Sequence, residues 1–185
     1  SVFGGLPPAI AGIATLLFCA LLAIFPALAC GYFVRWQRGG FLARVALFAA
    51  LWMLFEWARS WVFTGFPWLS LGYSQSPPSP LAGYAPIVGV YGVSLLAAFL
   101  AACVAEILVA AVRRQYRPVI QPMLWVVALL TLGWFAADLR WTEPQGQAIK
   151  VALLQGNVPQ DLKWRPEKLT DSLTIYGELM RAHPA

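Results

Sequence analysis

FEWARSWVFTGFPWLSLGYSQ, residues 55–75, decides how this chain is read. A carboxylate and a guanidinium, Glu56 and Arg59, stand three residues apart at the end of an apolar run, and the chain then breaks into an aromatic loop carrying glycine and proline. At that spacing the two side chains share a helix face and can pair. A charge inside a hydrophobic span costs a few kcal/mol, and pairing or proximity to the interface lowers that cost. Two readings stand. The pair fixes helix packing, or it faces an outward-opening cavity and orients a polar lipid headgroup.

Working outward, the run before Arg59 is one of several long enough to cross about 30 Å of hydrocarbon at about 1.5 Å per residue. Such runs lie at roughly 9–34, 41–63, 87–112 and 119–138. Over all 185 residues, 60% are hydrophobic and 11% charged. Soluble domains have roughly 45–50% and 25%. The expected class is therefore an α-helical, polytopic membrane domain over residues 1–140. The formal charge of +5 does not indicate nucleic acid, because the arginines cluster between apolar runs, at Arg35/Arg38/Arg44 and Arg113/Arg114/Arg117. Short cytoplasmic loops retain Lys and Arg, so these two loops are assigned to the cytoplasm. The uncharged connection 64–86 and everything after Asp138 then face the opposite side.

That 64–86 connection is more than an interfacial belt. Trp57, Trp61, Phe63, Phe66, Trp68, Tyr73 and Tyr84 crowd one side of the membrane. A belt alone does not need a long uncharged loop stiffened by Pro67, Pro77, Pro78, Pro80 and Pro86; long ordered loops are usually functional. The loop suits contact with lipid tails. Cys19, Cys30 and Cys103 lie in apolar runs, where a thiol is a small hydrophobe. Glu106, near the other end of its span, is expected to snorkel or cap.

After Asp138 the composition turns mixed-charge, with a boundary near 141–147. Ile149–Leu154 reads as a strand ending at the turn signal Gln155-Gly156-Asn157. Residues 166–180 carry apolar positions at three- and four-residue spacing behind Pro166, a helix signal. Such a strand, loop and helix cannot bury a core alone, so further chain is expected. The chain opens without methionine and reads as a fragment.

TGFPWL, PLAGYAPIVGVYGVS (80–94) and VALLQGNVPQDLKW (151–164) together resemble the apolipoprotein N-acyltransferase family of Gram-negative bacteria. The resemblance runs from about Phe3 to Tyr176. It implies a multi-pass inner-membrane enzyme whose residues 141–185 begin a periplasmic αββα nitrilase-like domain. It further implies transfer of an acyl chain from a phospholipid donor, through a cysteine thioester, to the N-terminal amine of a diacylated apolipoprotein acceptor. The family's catalytic glutamate, lysine and cysteine are expected beyond residue 185, so no catalytic residue is assigned here. Trp164, within the KW motif, is implied to engage substrate, with a gap-filling loop tryptophan as the alternative; Lys163 beside it is a candidate for attracting phosphate. With Glu56, Arg59, Phe66, Trp68 and Tyr73 they form the expected substrate-binding set. No metal ligand cluster, phosphate-binding glycine loop or nucleotide signature is present, and no cofactor is expected. A non-enzymatic lipid transporter or channel component is the alternative. A membrane amidase of other specificity is a third possibility.

Overall fold

The computed structural model describes residues 7–115, 117–149, 151–159, 162 and 165–183. One compact unit comprises Cys19–Thr142; the remaining residues form a second.

Among the described residues, four helices are long and apolar enough to cross a membrane: α1 (Pro8–Trp36), α2 (Phe41–Arg59), α3 (Ala85–Val112) and α4 (Ile120–Ala137). Most of their large apolar side chains, such as Leu17, Leu28, Leu54, Leu108 and Leu132, are exposed on the protein surface. That outward apolarity suits lipid and would be penalised in water.

The packed centre lies between α2 and α3. Val45 and Ala49 meet Ala98, Phe99 and Cys103, mostly small side chains that let the helices approach closely, as is common where lipid removes the hydrophobic driving force for association. The Phe99 ring meets Trp125 of α4 edge-on at 5.7 Å. The part of α1 after Cys19 reaches α2 through rings: Tyr32 stacks on Phe55 at 5.8 Å, and Phe33 meets Phe48 edge-on at 5.4 Å. Ring-to-ring packing holds the two helices apart and leaves clefts between them.

The sequence places the end of the second span at 63; α2 stops at Arg59. The backbone leaves the helical region at Trp61, with φ −137°, and Phe63 and Thr64 then adopt positive φ. A second departure lies inside α3. Gly89 has φ 64° and ψ −177°, a region essentially confined to glycine, so Ala85–Val88 is offset from the rest of the helix.

In the second unit, a 3₁₀ turn at Pro166–Lys168 leads into α5 (Leu169–Ala182), as the spacing behind Pro166 predicts. The strand expected over 149–154 is not found: among the described residues there is no strand. A strand exists only as part of a hydrogen-bonded ladder, and no described segment pairs with this one. The branched residues supply propensity without a partner. Lys150 lies outside the described residues.

Candidate lipid-facing site

The connection from α2 to α3 is folded into three 3₁₀ turns, Val62–Thr64, Leu71–Gln75 and Pro80–Tyr84. None of these turns has a side-chain cap. Their stability comes from contacts to the helices.

Two buried polar groups hold the middle turn. Glu56 Oε1 accepts the Leu71 N–H at 2.6 Å, and Ser94 Oγ of α3 accepts the Gly72 N–H at 2.8 Å. Glu56 and Ser94 are both buried, where an unpaired backbone donor would be costly. A Cβ on Gly72 would collide with the Val90 carbonyl, so the turn sits against α3 as only glycine allows. Beneath it, Leu81, Val93 and Ala97 form a small apolar core.

The third turn is seated on α4. A Cβ on Gly83 would strike the Gly133 carbonyl, and one on Gly133 would strike the Pro80 carbonyl. The Tyr84 hydroxyl donates to the Leu129 carbonyl at 2.8 Å. Two glycines face to face thus form a notch that locks turn and helix together.

With its base fixed, the loop turns its large side chains outward. Phe63, Thr64 and Leu69 all have positive φ, at 61°, 103° and 62°, each costing of order 1–3 kcal/mol. Phe63, Trp68, Leu69 and Tyr73 are 65–82% exposed. Trp57 and Trp61, edge to face at 5.3 Å, extend the same apolar surface. Phe66 is half-buried, and its N–H donates to the Arg59 carbonyl at 2.8 Å.

Glu56 and Arg59 do share a face, as their spacing requires. Arg59 Nη2 lies 4.0 Å from Glu56 Oε1, and the two side chains are only 12% and 7% exposed. This is the outer limit of an ion pair, so the shorter Leu71 bond is the tighter hold on the carboxylate. Glu56 Oε2 is buried and accepts no hydrogen bond from the protein. Both residues line a cleft of about 130 Å³ between α1 and α2, walled by Leu22, Phe25, Trp52 and Leu69.

Among the expected site residues, Glu56 and Arg59 share that cleft, while Trp68 and Tyr73 stand on the exposed loop surface. Trp164 and Lys163 lie outside the described residues. Sequence reasoning missed the bond from Leu71 to Glu56, which joins a side chain to a backbone amide 15 residues away and leaves no residue-type signal. It also missed the partner of Glu106, which pairs with Arg44 at 2.5 Å.

Four span-length helices, with an ordered and uncharged loop folded back on them, define a multi-pass helical membrane protein. Its lineage is equally plain: residues 1–103 match the family described as the apolipoprotein N-acyltransferase N-terminal domain, and the chain belongs to the apolipoprotein N-acyltransferase family. The enzyme of that name from Nitrosomonas europaea is 44% identical over 99% of this chain and 36% of its own length. Those of Ralstonia nicotianae and Methylococcus capsulatus are also 44% identical, over 100% and 91% of this chain and 34% and 33% of their own. The chain thus spans about a third of the length of these curated relatives. Relatives that carry a transferase name do not favour the lipid-transporter alternative.

Proposed function

We propose that this chain supplies the lipid-handling part of an enzyme that N-acylates apolipoproteins. The acyl group comes from a phospholipid, passes through a cysteine thioester, and is transferred to the N-terminal amine of a diacylglyceryl-cysteine. The enzyme sits in the bacterial inner membrane with its loop 64–86 and everything after Asp138 on the periplasmic side. Residues 141–185 begin a nitrilase-like domain, and the bond-making glutamate, lysine and cysteine lie outside these residues. Trp164 and Lys163 are proposed to engage substrate near the entrance to that domain.

One observation carries this reading. An uncharged loop that exposes aromatic rings is hydrogen-bonded to Glu56, and its Leu69 walls the cleft that contains the mostly buried Glu56 carboxylate and Arg59 guanidinium. Exposed rings suit acyl chains, and the amphipathic Trp and Tyr suit the headgroup level. Arg59 offers charge to a phosphate, and the spare oxygen of Glu56 is an acceptor for a headgroup N–H or O–H. A soluble enzyme needs neither feature; a transferase with two lipid substrates needs lateral entry for both. Membership of the acyltransferase family supports this assignment over other lipid-binding roles.

The test uses the full-length enzyme in vesicles with a phospholipid donor and a diacylated lipopeptide acceptor. Trp68→Ala combined with Tyr73→Ala should lower kcat/KM for transfer about tenfold, equivalent to ~1.4 kcal/mol. Both residues are surface-exposed, so thermal stability should stay within about 0.5 kcal/mol of the parent. Unchanged transfer would remove the loop from the substrate path.

A further inference from the structure

At the opposite ends of the same helices lies a larger cleft, of about 470 Å³, between the last turns of α1, the first turns of α2 and the last turns of α3. This is within the roughly 300–1,000 Å³ range of small-molecule sites. Arg44 and Arg59 stand 15 positions apart on α2, which places the two clefts about 22 Å apart along the helix. They are separate sites.

The lining of this cleft is amphipathic. Phe48 and Ala105 belong to its apolar wall, while Gln37, Arg44, Glu106 and Arg113 supply polar groups. The Arg44–Glu106 bond cancels one charge of each sign, and both side chains remain one-third exposed. Arg113 has no ion-pair partner among the described residues, so two arginines against one glutamate leave a single net positive charge. Arg44 uses one guanidinium nitrogen on Glu106 and keeps further donors free to point elsewhere. Ala105 is exposed to the cleft rather than packed in the core, so hydrocarbon can lie against α3.

The geometry points to a binding site for one anionic phospholipid of the leaflet on the arginine-rich side, its phosphate at Arg113 and Gln37 and its first methylenes along Ala105 and Phe48. Free phosphate would leave the apolar wall bare. A zwitterionic choline lipid would bring a cation with no acidic partner left, because Glu106 is already taken by Arg44. An anionic lipid bridging the three helices would clamp the bundle at the end away from the aromatic loop. This assignment is independent of acyl transfer, and its test reads binding alone.

Thermal unfolding of the full-length enzyme in detergent is followed with added dioleoylphosphatidylglycerol, dioleoylphosphatidylcholine or inorganic phosphate. Phosphatidylglycerol should raise Tm by about 3 °C or more beyond the choline lipid, consistent with ligand linkage in a protein of this class. Arg113→Gln and Ala105→Phe should each abolish that difference, the first by removing charge and the second by filling the cleft. Arg35→Gln, which removes a nearby charge outside the cleft, should preserve it. Equal stabilisation by both lipids, or by inorganic phosphate, would overturn the proposal. So would a phosphatidylglycerol effect that survives either cleft variant, or one that Arg35→Gln removes as fully.

Discussion

Replacing Glu56 separates its two jobs. Its Oε1 accepts the Leu71 amide at 2.6 Å, and its charge faces Arg59 at 4.0 Å. A hydrogen bond to a charged group contributes about 1.5–3 kcal/mol, and a buried donor left unpaired costs about 1–3 kcal/mol. Glu56→Ala removes the acceptor and the counter-charge together, so undocking of the middle turn should become easier by about 3 kcal/mol, or on the order of a hundredfold in population. Glu56→Gln keeps a carbonyl oxygen for Leu71 and loses only the charge; the expected cost is about 1 kcal/mol, near fivefold. Limited chymotrypsin digestion of the full-length enzyme in detergent reads this difference, because aromatic sites fill the loop and cleavage follows the open population when reclosing is fast. Cleavage between residues 63 and 75 should accelerate in the order parent, Gln, Ala. If Gln and Ala are equally fast, the charge opposite Arg59 holds the loop and the Leu71 bond is incidental. If neither is faster than the parent, the carboxylate does not anchor the loop.

The other contacts of the loop give sharper, smaller tests. Gly72→Ala drives a methyl into the Val90 carbonyl and should destabilise the folded protein by about 1–3 kcal/mol, read as a lower unfolding temperature. Ser94→Ala strips the Gly72 amide of its acceptor and should cost about 1–3 kcal/mol in the same assay; if both were neutral, the middle turn would not sit on α3. Gly133→Val should disturb both Pro80 and the Tyr84 ring and expose α4 to cross-linking from the loop side, whereas an unchanged pattern would show that the Gly83–Gly133 notch is not formed.

Much of the scaffold was legible because membrane spans are written in length and apolarity. The four runs lie close to the helices found, since lipid demands a long uncharged stretch whatever the packing. Boundaries set by backbone geometry were not legible: α2 ends early because the backbone leaves the helical region at Trp61, and that residue type does not announce it. The break at Gly89 could have been suspected only from glycine itself. The pairing of Glu56 with Arg59 follows from spacing, but the bond from Leu71 and the Arg44–Glu106 pair, 62 residues apart, depend on how the chain folds back. The strand at 149–154 failed for the complementary reason. Propensity is local and a ladder is not, so IKVALL could signal a strand without supplying the neighbour that makes one.

The notch at Gly83 and Gly133 reaches as far as Ala136 and Ala137, whose backbone atoms would also meet a Cβ on Gly83. The far end of α4 is therefore bolted to the aromatic ledge. Rocking α4 would therefore drag the ledge with it. A larger residue at either of these two positions would part the ledge from α4 before it cost the bundle itself.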